Sequence, residues 1–242
     1  MKAPAQVRMW AVIGKEFREY RRNRMIVLTM GIFPVLFLVL PLIPSVTLPD
    51  TASDALVTGV VGQAMLMLLI VPLMIPTTIA AYSVIGEREQ GTLEPVLSTP
   101  VTDRELLAGK ALAATLPAVL MAWLLFSIYV TTVRLAAPEP VVDAVWKPGW
   151  FAAQAILAPV LGGFAIIAGM AISARSTDIR VAQQLGGLIT LPVVGGLAVV
   201  SYGAVTPSVG LFLGVGGVVA VVDVLGWQGL ARLFDRERLL TR

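Results

Sequence analysis

Hydrophobic residues gather in six long runs, at about 26–48, 57–85, 106–130, 151–173, 182–203 and 208–229, separated by short polar stretches. Each run reaches the roughly 20 residues that a helix needs to cross a hydrocarbon core of about 30 Å. Only helices and closed barrels satisfy every backbone polar group in that medium. The pattern therefore predicts an all-α integral membrane protein with six transmembrane helices in a single transmembrane domain, 1–242. The second run exceeds what a bilayer requires, so it is expected to tilt or to project into the cytoplasm before the polar stretch that begins at Gly86. Pro34, Pro41, Pro72, Pro76 and Pro192 fall inside runs. In a membrane, neighbouring helices and hydroxyls can satisfy the carbonyls that such residues free.

Ahead of the first run, Trp10, Ile13, Phe17 and Tyr20 recur at helical spacing, while Arg8, Lys15, Arg18 and Arg22 take other faces. This predicts an interfacial amphipathic helix over 1–24, with its aromatic stripe at the headgroup boundary and its cations toward anionic lipid. Membrane lipids are thus expected partners. A plain basic tail that only sets topology is the alternative. No basic-then-apolar leader with a small-residue cleavage site opens the sequence, so the first run is expected to stay in the mature chain.

Charge sets the orientation. All but Arg134 and Lys147 of the 18 Lys and Arg fall on one side of the six runs: the N-terminal segment, the second-to-third and fourth-to-fifth loops, and the tail 230–242. That side is expected to be cytoplasmic, both termini included, in a multi-pass protein of the plasma membrane, with the bacterial cytoplasmic membrane the expected case. The outer segments 49–56, 131–150 and 203–207 are too short for a sizeable extracellular domain.

Composition narrows the chemistry. The chain is 57% hydrophobic and 14% charged, where soluble domains carry about 25% charged residues. Its pI of about 9.5 comes from cations flanking the runs, so nucleic acid is not an expected partner. Cysteine and histidine are absent, which removes thiol nucleophiles, disulfides, imidazole bases and the usual zinc sites. A serine–lysine dyad lacks a lysine inside a span. No catalytic residue, metal ligand or cofactor is assigned. The sequence also has no GxxxxGK[ST] phosphate loop, so ATP hydrolysis is expected to belong to another chain.

The loop after the second run, 86–110, reads GEREQGTLEPVLSTPVTDRELLAGK. Gly91 can end the extended second helix, Thr92 is a plausible N-cap, and Leu93, Glu94 and Pro95 follow in a first turn that tolerates proline. A short helix along the membrane is expected there. Pro100 forces a turn, and Thr102 with Glu105 has capping-box spacing at the start of the third span. Leu93, Val96 and Leu97 form an apolar patch rimmed by acids and Arg88, which suits docking to a soluble partner.

These residues carry a family likeness. The loop resembles that of ABC type-2 exporter permeases through Glu87, Arg88, Glu89, Gly91, Thr92, Leu93, Glu94, Pro100 and Lys110. KEFREYRRNRM at 15–25 resembles the family's interfacial connecting helix, and DIRVAQQLGGLITLP at 178–192 and FDRERLLTR at 234–242 resemble further segments. The resemblance implies a coupling helix at 87–97, within a coupling loop 86–105, seated in a groove of a separate ABC ATP-binding subunit that holds ATP and Mg. It also implies a second permease chain, identical or paralogous, and export of an amphipathic drug, peptide, lipid or glycan. A stand-alone secondary transporter or channel is the alternative, although neither an inverted repeat nor a central charge pair is evident. An intramembrane enzyme is a third reading.

Inside the runs, Gln63, Thr77 and Thr78 of the second and Gln183 and Gln184 of the fifth are candidates to line a pathway or to bond helices together. Asp223 is an acid well inside a run and so a functional candidate by default. Its nearness to Trp227 and the tail favours a structural role at the headgroups. Gly210 and Gly214, and Gly186, Gly187, Gly195 and Gly196, mark places for close helix packing.

Overall fold

The computed structural model describes residues 4–83, 85–86, 101–203 and 205–233. Among them are eight helices and no strand: α1 (Ala5–Arg22), α2 (Arg24–Thr47), α3 (Asp54–Ser83), α4 (Asp103–Ala136), α5 (Glu139–Val145), α6 (Pro148–Ser173), α7 (Ile179–Ser201) and α8 (Val209–Leu233). Six of them, α2 to α4 and α6 to α8, are long and apolar enough to cross a membrane, in the order the hydrophobic runs predict.

Local chemistry sets the breaks. Asn23 is extended, and its side chain accepts from the backbone N–H groups of Met25 and Ile26 at 3.0 and 3.3 Å, so it ends α1 and caps α2. At the start of α4 the Thr102 hydroxyl accepts from the Glu105 N–H at 3.3 Å, and Glu105 Oε2 accepts from the Thr102 N–H at 2.9 Å. This is the capping box that the spacing predicts. Prolines persist inside α2, α3, α4, α6 and α7. The hydroxyls of Thr29, Ser45, Thr77 and Thr78 each donate to the carbonyl four residues back, so they are satisfied within their own helices.

Beyond shifts of up to three residues at helix ends, three features depart from the runs. α4 continues past 130 to Ala136, because Thr132 turns its hydroxyl onto the Ile128 carbonyl at 2.9 Å and so does not disrupt the helix. The segment 131–150, expected on the outer side, contains α5, which the sequence reading did not foresee; Pro140 sits in its first turn, where no N–H is needed, and Val141, Val142 and Val145 are buried. α8 takes in residues 230–233, which were assigned to the tail.

α3 is the most buried of the six long helices and packs against α6, α7, α2 and α4. Two glycines let α7 lie directly on it. A Cβ at Gly62 would fall 1.5 Å from the Ser201 carbonyl oxygen, and one at Gly186 would fall 2.7 Å from Thr77 Cγ2, distances no side chain could occupy without moving a backbone or a packed methyl. By contrast α7 and α8 leave Leu188, Leu191, Leu213, Val218 and Leu225 exposed. An apolar surface of this extent belongs to a bilayer or to another membrane chain, and the protein is a multi-pass membrane protein.

The N-terminal helix corrects the expected stripe. Ile13 and Tyr20 are buried, together with Val12 and Glu16, whereas Trp10 is 63% and Phe17 37% exposed. The buried face is turned by somewhat less than one residue step of about 100° from the aromatic stripe. The cause is Glu16, a charged residue admitted to that face by a partner on α4.

Candidate functional site

That partner is Lys110. Its Nζ donates to Glu16 Oε1 at 2.9 Å and to the backbone oxygen of Ser83 at 3.2 Å, with the two side chains only 3% and 5% exposed. A buried ion pair tolerates desolvation only with good geometry and further hydrogen bonds. Here the backbone carbonyl at the end of α3 supplies one, and Lys15 adds a second cation 3.5 Å from Glu16. Burial pushes the Glu16 carboxyl up, but Lys110 and Lys15 together outweigh it and hold it below the ordinary carboxylate value. One lysine thus joins α1, the end of α3 and the start of α4.

Other contacts reinforce the same junction. Arg8 forks onto Glu105, Nε to Oε2 at 3.0 Å and Nη2 to Oε1 at 2.5 Å, so the capping carboxylate of α4 also holds α1. A Cβ at Gly109 would lie 2.7 Å from Val12 Cγ1, which shows how closely α1 and α4 approach. Past Ser83, the Ile85 N–H donates to Ser173 Oγ at 3.4 Å, and that hydroxyl donates to the Ala81 carbonyl at 3.1 Å. The segment 87–100 therefore leaves from Gly86 and returns at Val101 between two ends that are fastened to α1 and α6. The expected coupling residues Glu87, Arg88, Glu89, Gly91, Thr92, Leu93, Glu94, Val96 and Leu97 lie outside the described residues.

A second feature lies deeper. Ile70, Leu73, Met74, Thr77 and Thr78 of α3 face Gln183, Gln184, Leu188, Leu191 and Val194 of α7 across a cleft of about 730 Å³. A smaller hollow of about 240 Å³ continues it to Met25, Thr29 and Phe33 of α2. Both threonine hydroxyls already donate within α3, at 2.7 and 3.0 Å, so toward the cleft they can only accept. The glutamine amides can both donate and accept. Among the described residues no charged side chain lines either hollow. The combination of apolar walls and a few neutral polar groups suits an uncharged or amphipathic molecule.

The remaining candidates separate. Gln63 is half-buried on the same face of α3 as Ile70, Met74 and Thr77, roughly 21 Å from Thr77 along the helix, and does not line the cleft. Asp223 faces α6 at Gly163 and is not among the cleft residues. The expectation that no lysine lies inside a span needs correcting, because Lys110 is buried in α4. It reaches the backbone oxygen of Ser83, not the hydroxyl, which donates to the Ala80 carbonyl at 2.7 Å, so no nucleophile–base pair forms there.

Sequence reading noted Lys110 in the loop likeness but missed Glu16, Ser83 and Ser173. Glu16 carried a signal: it lies three residues after Ile13 and four before Tyr20, on the helix face that was expected to be apolar. Around the start of α3 and along α5, Asp50, Asp54, Glu139, Asp143 and Lys147 line an open hollow of about 860 Å³, brought together by the short helix that the hydrophobic pattern did not reveal.

No curated protein matches the sequence. A family model described as "ABC-2 family transporter protein" matches residues 10–214, a stretch that takes in most of α1 with its Glu16, the segment 87–100, the cleft and most of the six long helices. The chain therefore belongs to the ABC-2 family of transporter proteins, as a permease and not as the ATP-hydrolysing component.

Proposed function

We propose that this permease is the membrane half of an ATP-driven exporter, in which two copies, or this chain and a paralogue, form the pathway and separate ATP-binding subunits drive it. The observation that carries this reading is the fastening of both ends of the 87–100 segment. Lys110 ties the end of α3 to α1, and Arg8 with Glu105 ties α1 to the start of α4. A load applied at 87–97 then passes into three helices at once instead of being absorbed by a slack loop. Closure of the ATP-binding subunits around Mg and ATP would move these helices as a rigid group and rock one permease against the other.

The cleft between α3 and α7 supports an amphipathic cargo, since its walls are apolar and its polar groups uncharged. In this reading a second permease closes its open side. The coupling helix seats its apolar residues Leu93, Val96 and Leu97 in the ATP-binding subunit, with Glu87, Arg88, Glu89 and Glu94 pairing around them.

The test is charge reversal in the segment. Glu87→Lys and Glu94→Lys are expected to lower transport and the permease-stimulated ATPase rate, or to release the ATP-binding subunit, while leaving membrane insertion intact. Unchanged assembly, stimulation and transport in both variants would contradict the assignment. Transport that persists without ATP, by a chain that never retains an ATP-binding subunit on purification, would contradict the whole reading.

A further inference from the structure

Asp223 is the fifteenth of the 25 residues of α8. At 1.5 Å per residue, roughly 15 Å of helix separates it from Leu233 and roughly 21 Å from Val209, so it sits near the centre of a helix that crosses the membrane. An aspartate side chain is too short to reach the headgroups from there. The carboxyl is turned toward α6: a Cβ on Gly163 would fall 2.8 Å from its Oδ2, and its Oδ1 is buried without a hydrogen-bond partner among the described residues. Close contacts bracket it along the same seam, where a Cβ at Gly216 would lie 2.5 Å from Ile156 Cγ2 and one at Gly226 would lie 3.0 Å from Ile167 Cγ2. Among the described glycines of the seam, Gly163 is the one whose missing side chain makes room for a polar group.

No described charge answers this carboxyl. α6 contains no Asp, Glu, Lys or Arg from Pro148 to Ser173. α4, which touches α8 more lightly, carries Asp103, Arg104, Glu105 and Lys110 at its cytoplasmic end and Arg134 at its outer end. Lys110 is engaged by Glu16. On α8 itself the nearest charge is Arg232, nine residues on and roughly 13 Å away along the axis. An ionised carboxylate at this depth is unfavourable unless water or a cation meets it.

We propose that Asp223 is a proton-binding site inside the membrane, occupied in the conformation seen here, whose neutral carboxyl seats α8 against Gly163 of α6. Losing the proton then requires α8 to shift until the carboxylate meets water or a cation. α8 is suited to such a shift, being the least buried of the six long helices. The site thus ties a proton equilibrium to the packing of one helix, independently of what the cleft carries.

Infrared spectroscopy of the full chain in lipid, recorded as wild type minus Asp223→Asn, tests this. The expected difference spectrum at neutral pH contains the carbonyl band of a protonated carboxyl. That band is expected to be absent from the same difference taken between Asp223→Asn and itself after full deuterium exchange, and to shift to lower frequency in wild type when water is replaced by D2O, as the carbonyl of a protonated carboxyl does. Gly163→Ala, which puts a methyl 2.8 Å from the present place of Oδ2, is expected to shift the band. A lipid-soluble carbodiimide provides a second readout. The carboxyl adds across its N=C bond and rearranges to an N-acylurea with no leaving group, so an adduct on Asp223 is expected that fades as pH rises. A difference spectrum showing only ionised carboxylate at neutral pH overturns the proposal, as does labelling of Asp223 by a water-soluble carbodiimide but not by the lipid-soluble one.

Discussion

Replacing Glu16 with Gln leaves Lys110 buried at 3% side-chain exposure, still bonded to the Ser83 carbonyl but without this counter-charge. Removing one partner of a buried ion pair costs about 3–5 kcal/mol. If that cost falls on the docking of α1 onto α4, the undocked population rises by between about two and four orders of magnitude. Lys110→Met is expected to be milder, because Lys15 remains 3.5 Å from Glu16. The natural absence of cysteine makes the population directly measurable. Val12 is 7% exposed and packs on α4 at Gly109, so a Val12→Cys probe should react with a maleimide only when α1 lifts away. Glu16→Gln is expected to speed that labelling at least about a hundredfold. The double replacement Glu16→Leu with Lys110→Met removes both charges and is expected to return the rate close to its starting value, since apolar substitutes of similar size are often neutral for a buried pair. Equal labelling in the single variants, or a double variant as fast as Glu16→Gln, would refute the reasoning.

Other outcomes follow from the same geometry. Because Glu16 is held below its ordinary value of 4.5, its contribution to α1 docking is present above that value and is lost as pH falls through the lower folded-state value. Labelling of the Val12→Cys probe, divided by that of a free thiol at the same pH because the thiolate is the reacting species, is thus expected to be flat from neutral pH down to the ordinary carboxylate range and to rise below it, with a smaller acid step in Glu16→Gln, where the Glu105–Arg8 pair remains; a step near neutral pH would contradict this. In the cleft, Thr77→Val and Gln183→Leu remove polar contacts of about 0.5–1.5 kcal/mol each, so KM for an amphipathic cargo is expected to change by roughly two- to tenfold with ATPase assembly unaltered. Gln63→Leu is expected to change it less, and equal effects at all three positions would remove the case for the cleft.

The six membrane helices were legible because run length alone distinguishes a bilayer-crossing helix, and the α4 capping box because its chemistry is local. The polar residues of the cleft were legible for a related reason. Thr77, Thr78 and Gln183 interrupt apolar stretches, and the fold brings the three together. What stayed hidden depends on tertiary partners. The place of Glu16 between Ile13 and Tyr20 hints at burial, but a buried carboxylate makes sense only once Lys110 is placed 2.9 Å away, and so the face of α1 was misjudged. Asp223 was read as shallow because the apolar run fades near 229, whereas the helix goes on to Leu233 and leaves the carboxyl central. The seven residues of α5 are too few for a hydrophobic period to register, yet they bring Glu139 and Asp143 beside Asp50 and Asp54.

The most direct measurement is a cross-link between the 87–97 segment and the ATP-binding subunit. A single cysteine placed at Leu93 or Val96 in this naturally cysteine-free chain is expected to form a disulfide or short bifunctional link with that subunit in native membranes, and the link is expected to block ATP-driven transport. If the subunit copurifies but links only through some other face, while cysteines at 93 and 96 react freely with aqueous or lipid-phase reagents, force enters this permease elsewhere and the account of its coupling is wrong.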